Sequence, residues 1–412
     1  MVADEPPAWA ARLRAERRDR CWSQKEMARR LREAADPRTR AHLASPDSLI
    51  RMIRGWERGD HLLRDPYRVL YCRVFDTAEA DLFGGDPSWG TTPIQAEPSP
   101  AIERLETLSR GQVAELLEHL RDQWHLLVKR DNLLGPRHTL TAVREQIALL
   151  EALLRSAREG SRLDVLRLAA QYAESAAWLH EDAGDLPQAR YWTDRAMVWA
   201  HESDDQLMLA WTMFRRSQQA TAERAAGAAG EVIGLANAAR RKADVLPDPM
   251  RAAILQQEAQ GHALDRDERR CHALLDEAQM WAASVRDDGD ARGGHGSFCS
   301  TAYVEIQRAR CWLMLDQSSR SLSAYEAALP VLSPVYRRDR AMALAGMAAA
   351  YAAEREPEQA ATVAGEALEI ALGAGSCRIL YMIKSVGSSL DAHETLPAVA
   401  ALRTALAGIP AV

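Results

Sequence analysis

The side chains best suited to chemistry in this chain include arginines near the N-terminus. Residues 46–58 carry apolar side chains at helical spacing, and we expect the outward face of this helix to present Ser48, Arg51, Met52 and Gly55. A guanidinium can form two parallel hydrogen bonds with the edge of a guanine, so Arg51 is the candidate base reader. Phosphate contacts give affinity without sequence discrimination, and the candidates for them are Gln24, Lys25, Arg29, Arg54 and Arg58.

A second set of side chains, along the C-terminal two thirds, is suited to holding a ligand. Glutamine amides can bind the backbone of an extended peptide, aromatic rings supply apolar pockets, and Arg310 can meet a carboxylate. The candidates share one face of the predicted helices: Gln171, Glu174, Trp178, Glu181, Trp211, Phe214, Gln218, Gln256, Gln260, Tyr303, Ile306, Arg310 and Leu313. The alternative is that several of these aromatic residues pack between helices.

Catalytic patterns are missing from the sequence. We find no Gly-rich phosphate loop, no HExxH motif and no local signature of a nucleophile with its base. His295 and Cys299 could bind a metal on a helix, but the glycines around them predict a flexible insertion over 287–300 instead. We therefore expect neither an enzyme nor a bound metal or cofactor.

Charge is divided unevenly along the 412 residues. Residues 1–75 hold 17 Lys and Arg against 11 Asp and Glu, whereas the remainder holds 35 against 47. A basic head on an acidic body suits a protein that touches phosphate with one end. The six cysteines form no CxxC pair, and we see neither a signal peptide nor an apolar run long enough to span a membrane. We expect a cytoplasmic protein without a membrane partner.

The N-terminal region predicts a bundle of short helices. Trp9, Leu13 and Arg17 share one face of a first helix. Ser23 and Glu26 have the spacing of a capping box that begins a second helix, whose buried stripe is Met27, Ala28 and Leu31. A third helix begins after Ser45-Pro46, turns Leu49, Ile53 and Trp56 inward, and has Gly59 as its stop.

These residues, with Trp56-Glu57-Arg58-Gly59, Leu70 and the closing Ala80 to Gly84, resemble the lambda-repressor-like (XRE-type) helix-turn-helix domain over roughly residues 8–85. In that family the third helix lies in the major groove of double-stranded DNA, and the start of the second helix is anchored to phosphate. The segment between Arg32 and Ser45 is longer than the family's usual turn.

The rest of the chain predicts an array of helical hairpins. Small residues recur with spacings of twelve and then seven, and each triplet should mark a contact between two antiparallel helices. The triplets are Ala177, Ala189, Ala196; Ser217, Ala229, Ala236; Ala259, Cys271, Ala278; Ala309, Ser321, Ala328; and Ala348, Ala360, Ala367. This pattern resembles tetratricopeptide repeats, and stacked hairpins form a superhelix with a concave groove.

We therefore predict an all-α fold, a helix-turn-helix bundle followed by an α-solenoid of tetratricopeptide-like hairpins. The predicted segments are a DNA-binding domain (1–85), a Pro- and Gly-interrupted linker (86–100), connecting or dimerisation helices (101–160) and a repeat sensor domain (161–412). The amphipathic helices predicted over 102–127 and 141–158 either cap the array or pair with a second subunit. Symmetric operators favour the homodimer.

The combined architecture resembles quorum-sensing peptide-pheromone receptors of Gram-positive bacteria, and the Ala- and Arg-rich composition is typical of a high-GC actinobacterium. It implies a transcription regulator that binds an operator with its head and a signal in its groove. A peptide is the first choice of signal and a small hydrophobic molecule the second. The alternative is that the array is mainly a protein-interaction scaffold tethered to DNA.

Overall fold

The structure is a computed structural model that describes residues 7–20, 22–35, 40, 43–59, 63, 66–75, 77, 82–83, 108–157, 159–223, 227–284 and 294–409. The predicted linker over 86–100 lies outside these ranges, as do Cys21 and residues 287–293 of the predicted insertion. The chain divides into two compact units, Met1–Ser99 (unit 1) and Pro100–Val412 (unit 2). All regular elements of the described residues are helices, so the fold is all-α.

The described part of unit 1 contains four helices, α1 (Ala8–Asp19), α2 (Gln24–Glu33), α3 (Pro46–Trp56) and α4 (Tyr67–Phe75). The Ser23 hydroxyl accepts a hydrogen bond from the Glu26 N–H at 3.1 Å and caps α2. The Glu26 carboxylate binds Arg29 and Arg30, so only half of the predicted capping box forms. Helix α3 begins at Pro46 as predicted, and Gly59 follows it with φ +80°.

The core of unit 1 confirms the predicted apolar stripes. The inward residues of the first three helices are buried together with residues of α4, and they include Trp9, Leu13, Met27, Ala28, Leu31, Leu49, Ile53 and Trp56. Gly55 corrects the expectation that it faces outward, because it is buried beside Trp56. Arg17 lies on the apolar face of α1 because it forms an ion pair with buried Glu57, with Nη2 2.7 Å from Oε2.

Unit 2 consists of consecutive helices that pack against their neighbours along the chain. The described helices are α5 (Arg110–Leu134), α6 (Pro136–Ser156), α7 (Glu159–Asp182), α8 (Leu186–Glu202), α9 (Gln206–Glu223), α10 (Ala228–Ala239), α11 (Asp248–Leu264), α12 (Glu268–Ala282), α13 (Thr301–Met314), α14 (Ser318–Ala328), α15 (Arg337–Ala353), α16 (Pro357–Ala374), α17 (Cys377–Ser389) and α18 (Pro397–Ala407).

The small-residue triplets lie where paired helices pack. Fourteen of the fifteen residues are buried, as the pattern predicts. Ala229 is the exception, since it is only half-buried at the second position of α10. In this pair Ser217 instead donates a hydrogen bond to the Val232 carbonyl oxygen at 2.9 Å, so the contact is displaced by three residues.

One turn conformation recurs between helices of unit 2. The middle residue of the turn has a positive φ at Gly184, Asp204, Arg266, Asp316, Arg355 and Gly375. The following N–H donates to a carbonyl oxygen five residues earlier, as in Asp185 to His180 at 2.8 Å and Glu356 to Tyr351 at 2.9 Å. This is the helix-ending motif that usually carries glycine. Four of the six turns therefore hold a side chain where the left-handed backbone disfavours one.

Helices α5 and α6 belong to unit 2. They begin at Arg110 and Pro136 and are separated by a break at Gly135, and their Val113, Leu117 and Ile147 join the core that extends to α13. Residues 101–107 lie outside the described residues. The two helices pack on the array; dimerisation through them stays a prediction.

The two ends of the described array contact each other. Helix α5 packs against α16, and α7 packs against α17. Gly135 lies so close to this junction that an added Cβ would overlap the Ala374 carbonyl oxygen. The Arg137 guanidinium lies 3.8 Å from the Cys377 sulfur. The groove expected from the sequence is therefore closed by helices α15 to α17 meeting α5 to α7.

A substitution at the exposed Arg355 tests whether the positive φ of the recurrent turn strains the backbone. We expect Arg355→Gly to raise the free energy of unfolding by about 0.5–1 kcal/mol, because glycine adopts a positive φ without a Cβ clash and loses part of this gain to chain entropy. Chemical denaturation of the full chain measures it. The control Arg355→Ala removes the same charge but keeps the Cβ; equal stabilisation by both variants would contradict the strain.

Candidate functional site

A cavity of about 230 Å³ lies within unit 2. Its wall is built from both ends of the array, with α5, α6, α7 and α9 on one side and α15 and α17 on the other, and residues 294–298 complete it. The wall combines apolar and aromatic side chains with seven Asp, Glu and Arg residues. A concave site of this composition is typical of small-ligand binding. We call it the Trp178 cavity.

Trp178 is surrounded by three arginines from three different helices. The guanidinium carbons of Arg215 on α9, Arg338 on α15 and Arg378 on α17 lie 4.7, 5.5 and 4.6 Å from the centre of a Trp178 ring. A cation over an indole face is attracted to the negative face of the ring. This arrangement gathers three positive charges at one point of the wall.

Arg338 is held by carboxylates from the opposite end of the array. Its Nη1 lies 3.1 Å from Asp131 Oδ1 and 3.0 Å from Asp182 Oδ2, its Nη2 contacts Asp131 Oδ2, and the three side chains are 9%, 6% and 0% exposed. Burial lowers the pKa of Arg338, but the attraction of Asp131 and Asp182 outweighs burial and raises it above its ordinary value. The guanidinium stays charged.

Arg215 is paired in the same way within the first part of the array. Its Nε donates to Glu174 Oε1 at 2.7 Å, and Trp211 Nε1 donates to the same oxygen at 3.0 Å. Burial raises the pKa of Glu174, but Arg215, His295 and the Trp211 hydrogen bond together hold it below its ordinary value. Glu174 is therefore an ionised carboxylate that fixes both Arg215 and Trp211.

Residues 294–300, the end of the predicted flexible insertion, form a packed turn. The His295 ring stacks on Trp211 with centroids 5.1 Å apart, and Phe298 contacts Trp211 and Tyr303. Gly296 has φ +83°, and a Cβ there would lie 2.6 Å from the Pro249 carbonyl oxygen, so only glycine fits. Burial lowers the pKa of His295, which is therefore neutral near pH 7. The Gly-His-Gly spacing was the signal in the sequence for this close approach.

Besides the exposed Arg337, two charged side chains of the wall form no hydrogen bond with another described residue. Asp339, in the first turn of α15, forms no hydrogen bond or ion pair within 4.0 Å. Arg378 Nε lies 3.5 Å from Asp182 Oδ1 without hydrogen-bond geometry, and its Nη1 is 4.0 Å from Glu181 Oε1. Burial raises the pKa of Asp339, against the opposing attraction of Arg378 and Arg338.

The cavity brings together part of the predicted ligand set. Its wall includes Glu174, Trp178, Trp211, Gln218 and Tyr303. The others do not line it: Gln171, Glu181, Phe214, Gln256, Gln260, Ile306, Arg310 and Leu313. Further polar residues of the wall were not predicted as ligand-binding residues, among them Asp131, His295, Arg338, Asp339 and Arg378. All five lie outside the helix faces that the repeat pattern selects.

The glutamines show why some predicted residues do not reach the cavity. Gln256 and Gln260 are 0% and 3% exposed, and Gln260 Nε2 donates to Gln256 Oε1 at 2.8 Å and to Gln307 Oε1 at 3.2 Å. Their amides are therefore used between helices α11 and α13 and are not available to a peptide backbone. Arg310 is half-buried, and burial lowers its pKa.

The predicted DNA-contacting residues of unit 1 differ in exposure. Lys25, Arg29, Arg51, Arg54 and Arg58 are exposed, whereas Gln24, Ser48 and Met52 are half-buried and Gly55 is buried. Arg51 Nη2 lies 3.3 Å from the Ser48 hydroxyl, and Arg54 Nε lies 3.4 Å from Gln24 Oε1. Gln24 also donates to Glu57 at 3.1 Å. Residues on α2 and α3 thus form one polar surface above the buried Arg17–Glu57 pair.

Among the described residues no three His, Cys, Asp or Glu side chains are grouped so as to hold a metal ion. Within the same ranges no helix has the length and apolar character needed to cross a bilayer.

Arg338 should be essential to the closed form of unit 2. We expect Arg338→Met to lower the free energy of unfolding by about 3 kcal/mol, because it leaves Asp131 and Asp182 buried without their cation. Denaturant unfolding followed by circular dichroism measures the loss. The neighbouring exposed Arg337→Met serves as the control, and Asp131→Asn added to Arg338→Met should recover part of the loss. Equal effects of the two arginine variants would contradict this role.

Asp339 should destabilise unit 2 at neutral pH. Its pKa is higher in the folded than in the unfolded state, so ionisation opposes folding, and stability falls as pH rises from the unfolded to the folded pKa. We expect Asp339→Asn to raise the free energy of unfolding by about 1 kcal/mol at pH 7, with the gain vanishing below the unfolded pKa near 4. Denaturation curves across this pH range measure it, with exposed Asp265→Asn as the control. A less stable Asp339→Asn protein at pH 7 would refute the assignment.

The chain matches no protein-family model, and no curated protein is significantly similar to it.

Proposed function

We propose that the protein is a cytoplasmic, one-component transcription regulator that binds double-stranded DNA with unit 1 and a signal molecule in the Trp178 cavity of unit 2. The observation that carries the proposal is helix α3. Its inward side is buried in the core of unit 1, while Arg51 and Arg54 remain exposed on the other side. A short helix with a buried apolar stripe and exposed arginines suits insertion into the major groove.

The position of α3 is supported by contacts that fix both of its ends. Ser45 caps its first turn, and Glu57, directly after its last residue, is tied to Arg17 of α1 and Gln24 of α2. A base-reading helix must be held rigidly, since a small displacement removes bidentate hydrogen bonds to a base. The resemblance of residues 8–85 to the XRE-type domain agrees with this function for α3.

The phosphate-binding role falls best on Lys25 and Arg54. Arg29 is exposed, but its guanidinium binds the carboxylates of both Glu26 and Glu33, and these hydrogen bonds raise its pKa. Binding phosphate would require Arg29 to leave two carboxylates. Lys25, on the first turn of α2, is exposed, and Arg54 has only a 3.4 Å contact with the Gln24 amide.

A cavity of about 230 Å³ favours a compact signal over an extended peptide. A peptide groove would need an open concave face, whereas the described array brings α15 and α17 against α5 and α7. We keep the peptide as the second candidate, in the form of a short one. Coupling to DNA binding requires that the signal favour one arrangement of a homodimer, with a typical coupling of about 1–3 kcal/mol. The scaffold function is the alternative, and no contact of the described residues favours it.

Arg51 should contribute to sequence discrimination. We expect Arg51→Ala to weaken binding to a selected operator by about 1–3 kcal/mol and to relax preference at one base position, because a bidentate contact to a base is lost. Operators are first selected from a genomic fragment library at low salt, and affinities are then measured by fluorescence anisotropy.

The matched control for this experiment is Arg14→Ala, which removes the same charge from an exposed position on α1. It should weaken binding to specific and to non-specific DNA equally. If Arg51→Ala and Arg14→Ala gave the same base preferences as the unchanged protein, Arg51 would not read bases. If the unchanged protein retained no DNA at low salt, the regulator proposal would be wrong.

A further inference from the structure

The charges that line the Trp178 cavity do not all have partners within the protein. Asp131 is paired with Arg338, and Glu174 is paired with Arg215, with direct contacts of 2.7 to 3.1 Å. Arg337, Arg378 and Asp339 remain. Arg337 is exposed, whereas Arg378 and Asp339 are half-buried and have opposite signs.

Arg378 is held in place, but not all of its N–H groups form hydrogen bonds within the described part of the protein. Its guanidinium lies 4.6 Å from a Trp178 ring centre, which fixes its plane against the indole. The nearest carboxylate oxygen, Asp182 Oδ1, is 3.5 Å away and already accepts a hydrogen bond from Ser376 at 2.6 Å. The buried Nε of Arg378 therefore has no hydrogen-bond partner. Such a donor can bind an anion without first breaking a strong ion pair.

Asp339 is a hydrogen-bond acceptor that lacks a donor among the described residues. It lies one residue after Arg338, whose guanidinium is directed to Asp131, Asp182 and Asn132. Its carboxylate has no donor within hydrogen-bond distance in the described part of the chain. An unpaired carboxylate in a partly desolvated wall is costly unless a cation or donor reaches it.

We propose that the cavity binds a compact zwitterionic ligand with an aromatic or apolar body, of the class of α-amino acids with a large side chain. Its anionic group binds Arg378, its ammonium group binds Asp339, and its body packs among the aromatic side chains around Trp178 and Trp211. This inference rests on the proposed function of unit 2 as a signal-binding unit and names the class of its signal.

Ligands with one charge fit the wall less well. An anion alone would satisfy Arg378 but leave Asp339 unpaired beside an added negative charge. A cation alone would satisfy Asp339 and leave Arg378 Nε without an acceptor. A zwitterion adds no net charge to a wall in which Asp131 and Glu174 are already paired with Arg338 and Arg215. Specificity would arise from Arg378 Nε and the Asp339 carboxylate, which lack hydrogen-bond partners in the described ranges, since each rejects a ligand that cannot meet it.

The test uses four probes that share an indole body and differ in charge: tryptophan, indole-3-propionate, tryptamine and indole. Binding to the full-length protein is measured by isothermal titration and by the shift of the thermal unfolding midpoint. We expect tryptophan to bind roughly tenfold or more tightly than either singly charged probe, and indole to bind most weakly. A parallel series with phenylalanine and the dipeptide Ala-Trp covers zwitterions of other size.

Two variants separate the charged contacts from the fold. Asp339→Asn should abolish the preference for tryptophan over indole-3-propionate, and Arg378→Gln should abolish the preference for tryptophan over tryptamine. Arg403→Gln, an exposed arginine on α18, is the control and should change neither ratio. A loss of structure alone would lower the affinity of all four probes together and would not exchange their order.

The proposal is overturned if no zwitterionic probe binds more tightly than indole, or if both variants leave the two ratios unchanged. Neither result would affect DNA binding by unit 1, which is measured separately with the Arg51 variant. Failure of DNA binding with a retained zwitterion preference would instead overturn the regulator and leave the ligand class standing.

Discussion

The ion pair of Arg338 with Asp131 and Asp182 is the interaction on which the interior of unit 2 depends. In an array of helical repeats each unit normally contacts only its neighbours. Here a side chain on α15 binds a carboxylate 207 positions earlier in the chain. Because all three groups are buried, the two carboxylates require the guanidinium, and the guanidinium requires the carboxylates, to remain charged. The contact turns a row of hairpins into a closed wall around a cavity.

Trp178 links the Arg338 ion pair to the other polar side chains of the wall. Its ring contacts Arg338, Arg215 and Arg378, which belong to three helices. The Glu174 carboxylate then fixes Arg215 together with Trp211, and Trp211 carries the His295 ring. The polar groups of the cavity are therefore oriented before any ligand arrives, which reduces the entropy that binding must overcome.

Local sequence patterns predicted the helices, whereas contacts between residues far apart in the chain were not predicted. Apolar stripes and small-residue triplets depend on residues within about two helical turns, so Leu49, Ile53 and the alanine contacts could be read directly. The left-handed residues Arg266, Asp316 and Arg355 could not be identified from the sequence, because their turns lack the glycine that usually marks such a residue. The cavity wall could not be predicted, because Asp131 and Arg338 meet only when the whole array has curved. In unit 1, helical spacing predicted the inward position of Arg17 but not its ion pair with Glu57.

The meeting of α5 to α7 with α15 to α17 limits how this chain can change its length. Open repeat proteins gain or lose whole hairpins with little effect on those that remain. In unit 2, deleting or duplicating one hairpin would shift Arg338 by a full repeat and carry Ala374 away from Gly135. The number of hairpins between the two ends is thus set by geometry, much as the number of strands is set in a closed barrel. Variation among proteins of this architecture should accordingly concentrate in loop lengths and leave the count of helices unchanged.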